Sequence, residues 1–218
     1  MTAGLAPFSL PDLCHARRNH PDPAFPTPLQ RGFGGVPHVQ NLFGGVPHVQ
    51  YLMEIRQAVT ADAQRIGEVH VRNWQIGLSD YMDPSYLDGI TARDVTMQWL
   101  RSLASPIHAD TLVAEDDDGH VVGLIDFGHN RNELGFEVAE VYGLYVDPDY
   151  WNRGIDAALL SAAQLHLAET GFRSAIVWTL TENDGRRRFY EDHGWQWDGV
   201  NEWHRAGAEV MRYSRDLR

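Results

Sequence analysis

The stretch Glu140-Val-Tyr-Gly-Leu-Tyr-Val146, continued by Asp147-Pro148-Asp149, Arg153-Gly154 and the run from Ile155 to Thr170, decides the architecture. β-Branched and aromatic residues crowd its first seven positions, as a strand requires. Asp147-Pro148-Asp149 ends that strand, because proline has no backbone N–H to give to a ladder and the acidic residues favour a turn. Ile155 to Thr170 is rich in alanine and leucine and reads as one helix, apolar over most of its circumference, largely buried and stopped by Gly171. Strand, glycine-bearing turn and helix N-terminus in that order make an anion cradle, since the first helical turn has unpaired N–H groups at the positive end of the dipole.

Working outward, Glu54 to Val59 predicts a short strand and Thr60 an N-cap for a helix ending near Asn73, with Ile66, His70 and Asn73 or Trp74 along one face. The chain from Trp74 to Gly89 reads as irregular, and Thr91 as the cap of a helix ending near Leu103. Thr111–Glu115 and Val121–Gly128 are predicted strands joined by the turn Asp116-Asp-Asp-Gly119. Three aspartates without the spacing of a calcium loop read as a solvated turn. After the strand from Glu137 to Val146, in which Gly143 marks a bulge, the order is helix, strand from Arg173 to Leu180, helix from Asn183 to His193, and two strands around Gly207. Trp195, Trp197 and Trp203 are expected in the core or in an acceptor cleft. This order predicts an α/β (α+β) fold, a mixed, mainly antiparallel twisted sheet with helices on both faces.

Residues 1–52 hold eight of the eleven prolines and contain Phe33-Gly-Gly-Val-Pro-His-Val-Gln40, which recurs unchanged as Phe43 to Gln50. They read as an extended or disordered N-terminal extension, with the folded domain over 53–218 and with Met53 as an expected natural start of translation. The net charge is −12, carried wholly by the domain, which argues against nucleic acid and anionic membranes as partners and suits a cationic acceptor. All 18 cationic residues are arginine, which excludes Schiff-base and phosphate-loop lysines. Cys14 is the single cysteine, so no internal disulfide forms. Seven histidines beyond residue 52 lack zinc-ligand spacing, and no metal is implied. No basic-then-apolar leader opens the chain and no apolar run approaches the roughly 18 residues that span a bilayer, so a soluble, cytoplasmic protein is expected.

Two segments together resemble the GNAT N-acetyltransferase superfamily. Leu144-Tyr-Val-Asp-Pro148, Arg153-Gly154 and Ala157-Ala-Leu-Leu160 are similar to its cofactor motif; Asn183, Arg187-Arg-Phe-Tyr-Glu191 and His193-Gly-Trp195 are similar to its next motif. The resemblance implies acetyl-coenzyme A as co-substrate and an amine acceptor, small or on a protein, and it leaves a homodimer open. It also implies that the bulge splays the central strand from its neighbour to make a slot for the pantetheine arm. The coenzyme is then expected on the backbone of Tyr145 and Val146, on the turn and helix start formed by Trp151, Asn152, Arg153, Gly154, Ile155, Asp156 and Ala157, and on Asn183, which alternatively just caps its helix. The family's turn carries Gln or Arg, Gly, and a small residue where this chain has Trp151, Gly154 and Asp156. That departure keeps alive a second expectation, a GNAT-fold module that has lost catalysis and only binds. A plain dinucleotide-binding domain is excluded, because no Gly-x-Gly-x-x-Gly or phosphate-loop motif is present.

Acyl transfer to an amine needs a base for the amine, a donor for the carbonyl oxygen and a proton for the departing thiolate. Glu140, early in the central strand, is the candidate base, acting directly or through water, with Glu137 in reserve. Tyr190 is the candidate acid, because the motif places a tyrosine at this point and a phenol is protonated at neutral pH. Trp74 and Tyr81 are weaker candidates for an acceptor pocket, core positions being the simpler reading.

Overall fold

The computed structural model describes residues 53–105, 109–131, 134–203 and 208–218. The N-terminal extension with its duplicated segment and the turn at Gly207 lie outside these residues. Seven strands form one sheet in the order β1-β2-β3-β4-β5-β7-β6. They are β1 (Glu54–Gln57), β2 (Asp110–Glu115), β3 (Val121–His129), β4 (Val138–Val146), β5 (Ser174–Leu180), β6 (Gln196–Trp203) and β7 (Glu209–Asp216). The helices are α1 (Ala63–Gly77), α2 (Pro84–Asp88), α3 (Ala92–Leu103), α4 (Ile155–Glu169) and α5 (Asp184–Asp192). Every neighbouring pair of strands is antiparallel except β4 and β5, which run parallel because α4 carries the chain back between them. The mixed, mainly antiparallel α/β architecture is therefore present as expected, with one core under α4 and α5 and another under α1 and α3.

Several elements depart from the expectation for local reasons. Thr60 opens a short 3-10 turn rather than capping α1; the carboxylate of Asp62 accepts the Val59 N–H at 2.8 Å while Arg56 donates to both its oxygens, at 2.7 and 2.8 Å. α1 runs on to Gly77, and Asp83 caps the short α2 within the stretch read as irregular. Thr91 caps α3 as predicted, accepting the Asp94 N–H. α4 is less buried than its composition suggested: Ile155, Leu159, Leu160, Ala163 and Leu167 face the core, while Leu165 is exposed. Alanine supplies helix propensity without demanding burial, so an all-apolar wheel overstates the buried face. Trp195 is core, whereas Trp197 and Trp203 stand exposed on the edge strand β6, contrary to expectation. No helix among the described residues is long and apolar enough to cross a membrane.

Candidate active site

β4 pairs with β5 only from Val138 opposite Ser174 to Val141 opposite Val177. Beyond that point β4 stays with β3 up to Val146, and β5 stays with β7 up to Leu180 opposite Val210, so the two strands part. A bulge accompanies the parting: Asp126 faces Gly143 and Phe127 faces Val141, which leaves Tyr142 without a counterpart. Ala139, Val141, Leu144 and Val146 all join the core under α4. Alternation cannot place both 141 and 144 on one face without the extra residue. Glu140 and Tyr145 consequently face the opposite side, where Tyr145 stacks on His70 at 4.2 Å between ring centroids beneath α1 and α3.

The same alternation decides which backbone groups meet the opening. Asp147 donates its N–H to Val122 at 2.8 Å, so Asp147 and Tyr145 pair across the ladder to β3, and Leu144 and Val146 turn their amides away from β3. Of the two backbone positions expected to meet the coenzyme, Val146 thus turns its amide away from β3, as Leu144 does, whereas Tyr145 gives its amide to β3. The Val146 carbonyl is already engaged, accepting from Asn73 Nδ2 at 3.0 Å and from the indole N–H of Trp151 at 2.8 Å. Helical spacing put Asn73 on one face with Ile66 and His70 but gave no sign of this partner, because a helix residue shows nothing of a contact 73 positions away.

The turn after β4 is fixed from below. Asp147, wholly buried, accepts from Arg65 at 2.7 Å and from Arg72 at 2.6 Å, which ties α1 to the end of the strand. Asn152 and Gly154 are left-handed, at φ 61° and 76°, and Gly154 opens α4; a Cβ on Gly154 would have no atom within 4 Å, so the space before the helix is clear. Ile155 points inward to the core. Arg153 folds back, donating to the Asp149 carbonyl at 3.0 Å and lying 4.7 Å from the Tyr150 ring centre. Asp156 accepts the Ala157 N–H at 3.0 Å and faces Arg186 at 3.7 Å. One of the expected cradle amides is therefore occupied by the chain's own carboxylate.

On the α4 side, Tyr190 is 3% exposed and packs against Phe189, Trp195 and Tyr213. Burial pushes its phenol above the ordinary tyrosine range; Arg186 eases and Asp156 opposes loss of its proton. Asn183 caps α5 by accepting the Arg186 N–H at 2.9 Å, the simpler of its two expected roles. On the other side, Glu140 is wholly buried and accepts from the Arg131 N–H at 2.9 Å and from the Arg131 guanidinium at 3.4 Å. That guanidinium lies 4.0 Å from the centre of the Tyr142 ring. Glu137 sits in the turn before β4, far from the opening, and pairs with Arg173 at 3.2 Å. Leu78 and Tyr81 pack on both the α1–α3 core and the cluster of Trp178, Leu180 and Val210, so the link after α1 crosses over where the strands part. Trp74 is core.

The acetyltransferase (GNAT) family profile matches residues 69–195. The chain belongs to the acetyltransferase (GNAT) family. It is 29% identical over 133 residues to the uncharacterised N-acetyltransferase YuaI of Bacillus subtilis, a match covering 61% of this chain and 74% of YuaI. It is 32% identical over 143 residues to an uncharacterised N-acetyltransferase of Archaeoglobus fulgidus, covering 63% and 89%. The fold is similar to that of the PaiA N-acetyltransferase of Thermoplasma acidophilum, determined in complex with coenzyme A, with a TM-score of 0.62 at 20% identity over 73% of this chain and 97% of that one. As a GNAT protein the chain is an acyltransferase. An open cleft of about 560 Å³ on the flank of α1, lined by Arg65, Glu68, Arg72 and Asp88, is a separate feature. Its arginines are committed to Asp147.

Proposed function

We propose that this chain is an N-acetyltransferase that moves the acetyl group of acetyl-coenzyme A onto an amine by direct attack. The observation that carries the reading is the parting of β4 from β5 beside the N-terminus of α4. It offers the Leu144 and Val146 amides to a thioester and its pantetheine arm, and the first turn of α4 to a diphosphate. The residues fit at the backbone level, Gly154 leaving the approach clear.

Glu140, in the last paired residues before the opening, and Tyr190 lie on opposite faces of the sheet, which suits an acceptor entering from the α1–α3 side and coenzyme from the α4–α5 side. The Glu140 carboxylate, held by Arg131, takes the proton from the incoming nitrogen directly or through water. The nitrogen bonds to the carbonyl carbon, backbone N–H groups bear the charge on its oxygen, and the carbon–sulfur bond breaks as Tyr190 gives its proton to the thiolate. A phenol whose pKa is raised by burial stays protonated across the neutral range, as a donor must. The acceptor is an amine, small or on a protein, drawn by the acidic domain.

Acetyl-coenzyme A should raise the melting temperature, since a ligand bound only by the folded state stabilises it. With a panel of amines, thioester consumption should follow, and Glu140→Gln should lower turnover about 100- to 10,000-fold, most where the amine is chiefly protonated. Absence of both the thermal shift and thioester consumption would remove the enzyme reading. A pH profile of Glu140→Gln identical to that of the parent would remove Glu140 as base.

A further inference from the structure

Asp156 and Arg186 stand at the mouth of the opening and come from different helices. Asp156, in the first turn of α4, gives one oxygen to the Ala157 N–H at 3.0 Å and the other to Arg186 at 3.7 Å. Arg186, in the first turn of α5, has its N–H on the Asn183 cap at 2.9 Å and its guanidinium 5.1 Å from the centre of the Phe189 ring. Both side chains are partly exposed, at 25% for Arg186 and 34% for Asp156, so a ligand can reach them. The neighbouring Arg187 is spent elsewhere, on the Thr181 carbonyl and on Asp184. A carboxylate thus occupies a helix N-terminus that favours anions, and a cation on the adjoining helix is paired with it.

We propose that Arg186 is the counter-ion that makes Asp156 compatible with a diphosphate at this turn, the two acting as one positioning unit for coenzyme binding. This rests on the acetyl-coenzyme A reading and adds a role that no sequence motif here assigned. Arg186 draws the carboxylate aside and lends its own charge to the phosphates. With both residues present the pair is neutral; without Arg186 an uncompensated carboxylate faces the ligand's phosphates; without Asp156 an uncompensated cation does. The two single substitutions must therefore act in opposite directions, and the double substitution must restore most of the affinity.

Calorimetric titration of the full chain, of Asp156→Asn, of Arg186→Gln and of the double variant tests this with two probes, acetyl-coenzyme A and S-acetyl-pantetheine, which lacks the phosphates. Arg186→Gln should weaken acetyl-coenzyme A binding about tenfold and Asp156→Asn should strengthen it by up to about tenfold. The double variant should lie within about threefold of the parent, and S-acetyl-pantetheine should bind all four proteins within about twofold. Arg186→Lys, which keeps the charge, should stay within about threefold and guards against a fold defect in the glutamine variant, as do melting temperatures without ligand. Unchanged affinity in Arg186→Gln, or an equal loss for both probes, overturns the proposal while leaving the enzyme reading intact. A parent protein that binds neither probe overturns the reading itself, and the proposal with it.

Discussion

Tyr190 is enclosed by Phe189, Trp195 and Tyr213, so removing its hydroxyl alone leaves the packing nearly unchanged. Tyr190→Phe should therefore lower turnover by about 100- to 10,000-fold, the scale of a general acid, with acetyl-coenzyme A affinity kept within about twofold. Steady-state kinetics at saturating coenzyme check this, and unchanged turnover with chemistry rate-limiting would take the acid role from Tyr190. At this scale the sequence was legible where a residue's role follows from its place in a motif or a cap, as for Asn183 and Thr91. It was not legible where the role depends on the direction of a side chain. The sequence puts Arg153 and Trp151 in the turn but shows neither that Arg153 returns to the Asp149 carbonyl nor that Trp151 donates to the Val146 carbonyl. Rotamers of exposed arginines and tryptophans are set by neighbours remote in sequence, and no periodicity encodes them.

Between elements, the contact of α4 with β3 positions the proposed cradle. A Cβ at Gly123 would meet Ile155 Cγ2 and Leu159 Cδ1 at 3.1 Å and the Tyr145 carbonyl at 3.2 Å. The Tyr145 oxygen is backbone in a ladder and cannot yield, so α4 would have to lift. Gly123→Ala should cost about 1–3 kcal/mol, the range for overpacking, and lower the melting temperature by several degrees. Because the lifted helix carries the first turn of α4 with it, coenzyme affinity should fall as well. Thermal scans and titration together test this; an unchanged melting temperature would mean that α4 slides on β3 without cost. The bulge shows why the strand was readable and its register was not. Gly143 correctly marked the irregularity, yet the extra residue is Tyr142, and one residue's slip exchanges Leu144 for Tyr145 at the opening. A propensity names the strand, whereas the partner strand sets the count.

For the molecule as a whole, the domain is held by two apolar cores and by buried carboxylates that tie the helices to the sheet. Asp147 joins α1 to the end of β4 through Arg65 and Arg72. Asp62, at the entry to α1, joins β1 to β2 through Arg56, which also binds Glu115 at 2.5 Å. None of these pairs was foreseen, since those of Asp147 and of Glu115 join residues dozens of positions apart and the Arg56–Asp62 pair, six residues apart, needs the turn between them to be known; the overall α/β order was, because it rests on periodicity and breakers. The Arg56 guanidinium beside Asp62, with the Val59 N–H, holds the Asp62 carboxyl below the usual aspartate range. A carboxyl whose folded pKa is depressed contributes stability above its unfolded pKa of about 3.9 and loses it as the pH falls through the folded value. Asp62→Asn keeps the shape and removes the charge, leaving Arg56 with Glu115 alone. At pH 7 this should cost about 2 kcal/mol, within the range for hydrogen bonds to charged groups, or roughly 4–8 °C of melting temperature for a domain of this size. Below about pH 4 the parent loses the same contribution, so the two melting curves should converge as acid is added. A gap that stays constant from pH 7 to pH 3 would mean that the charge of Asp62 contributes nothing to stability.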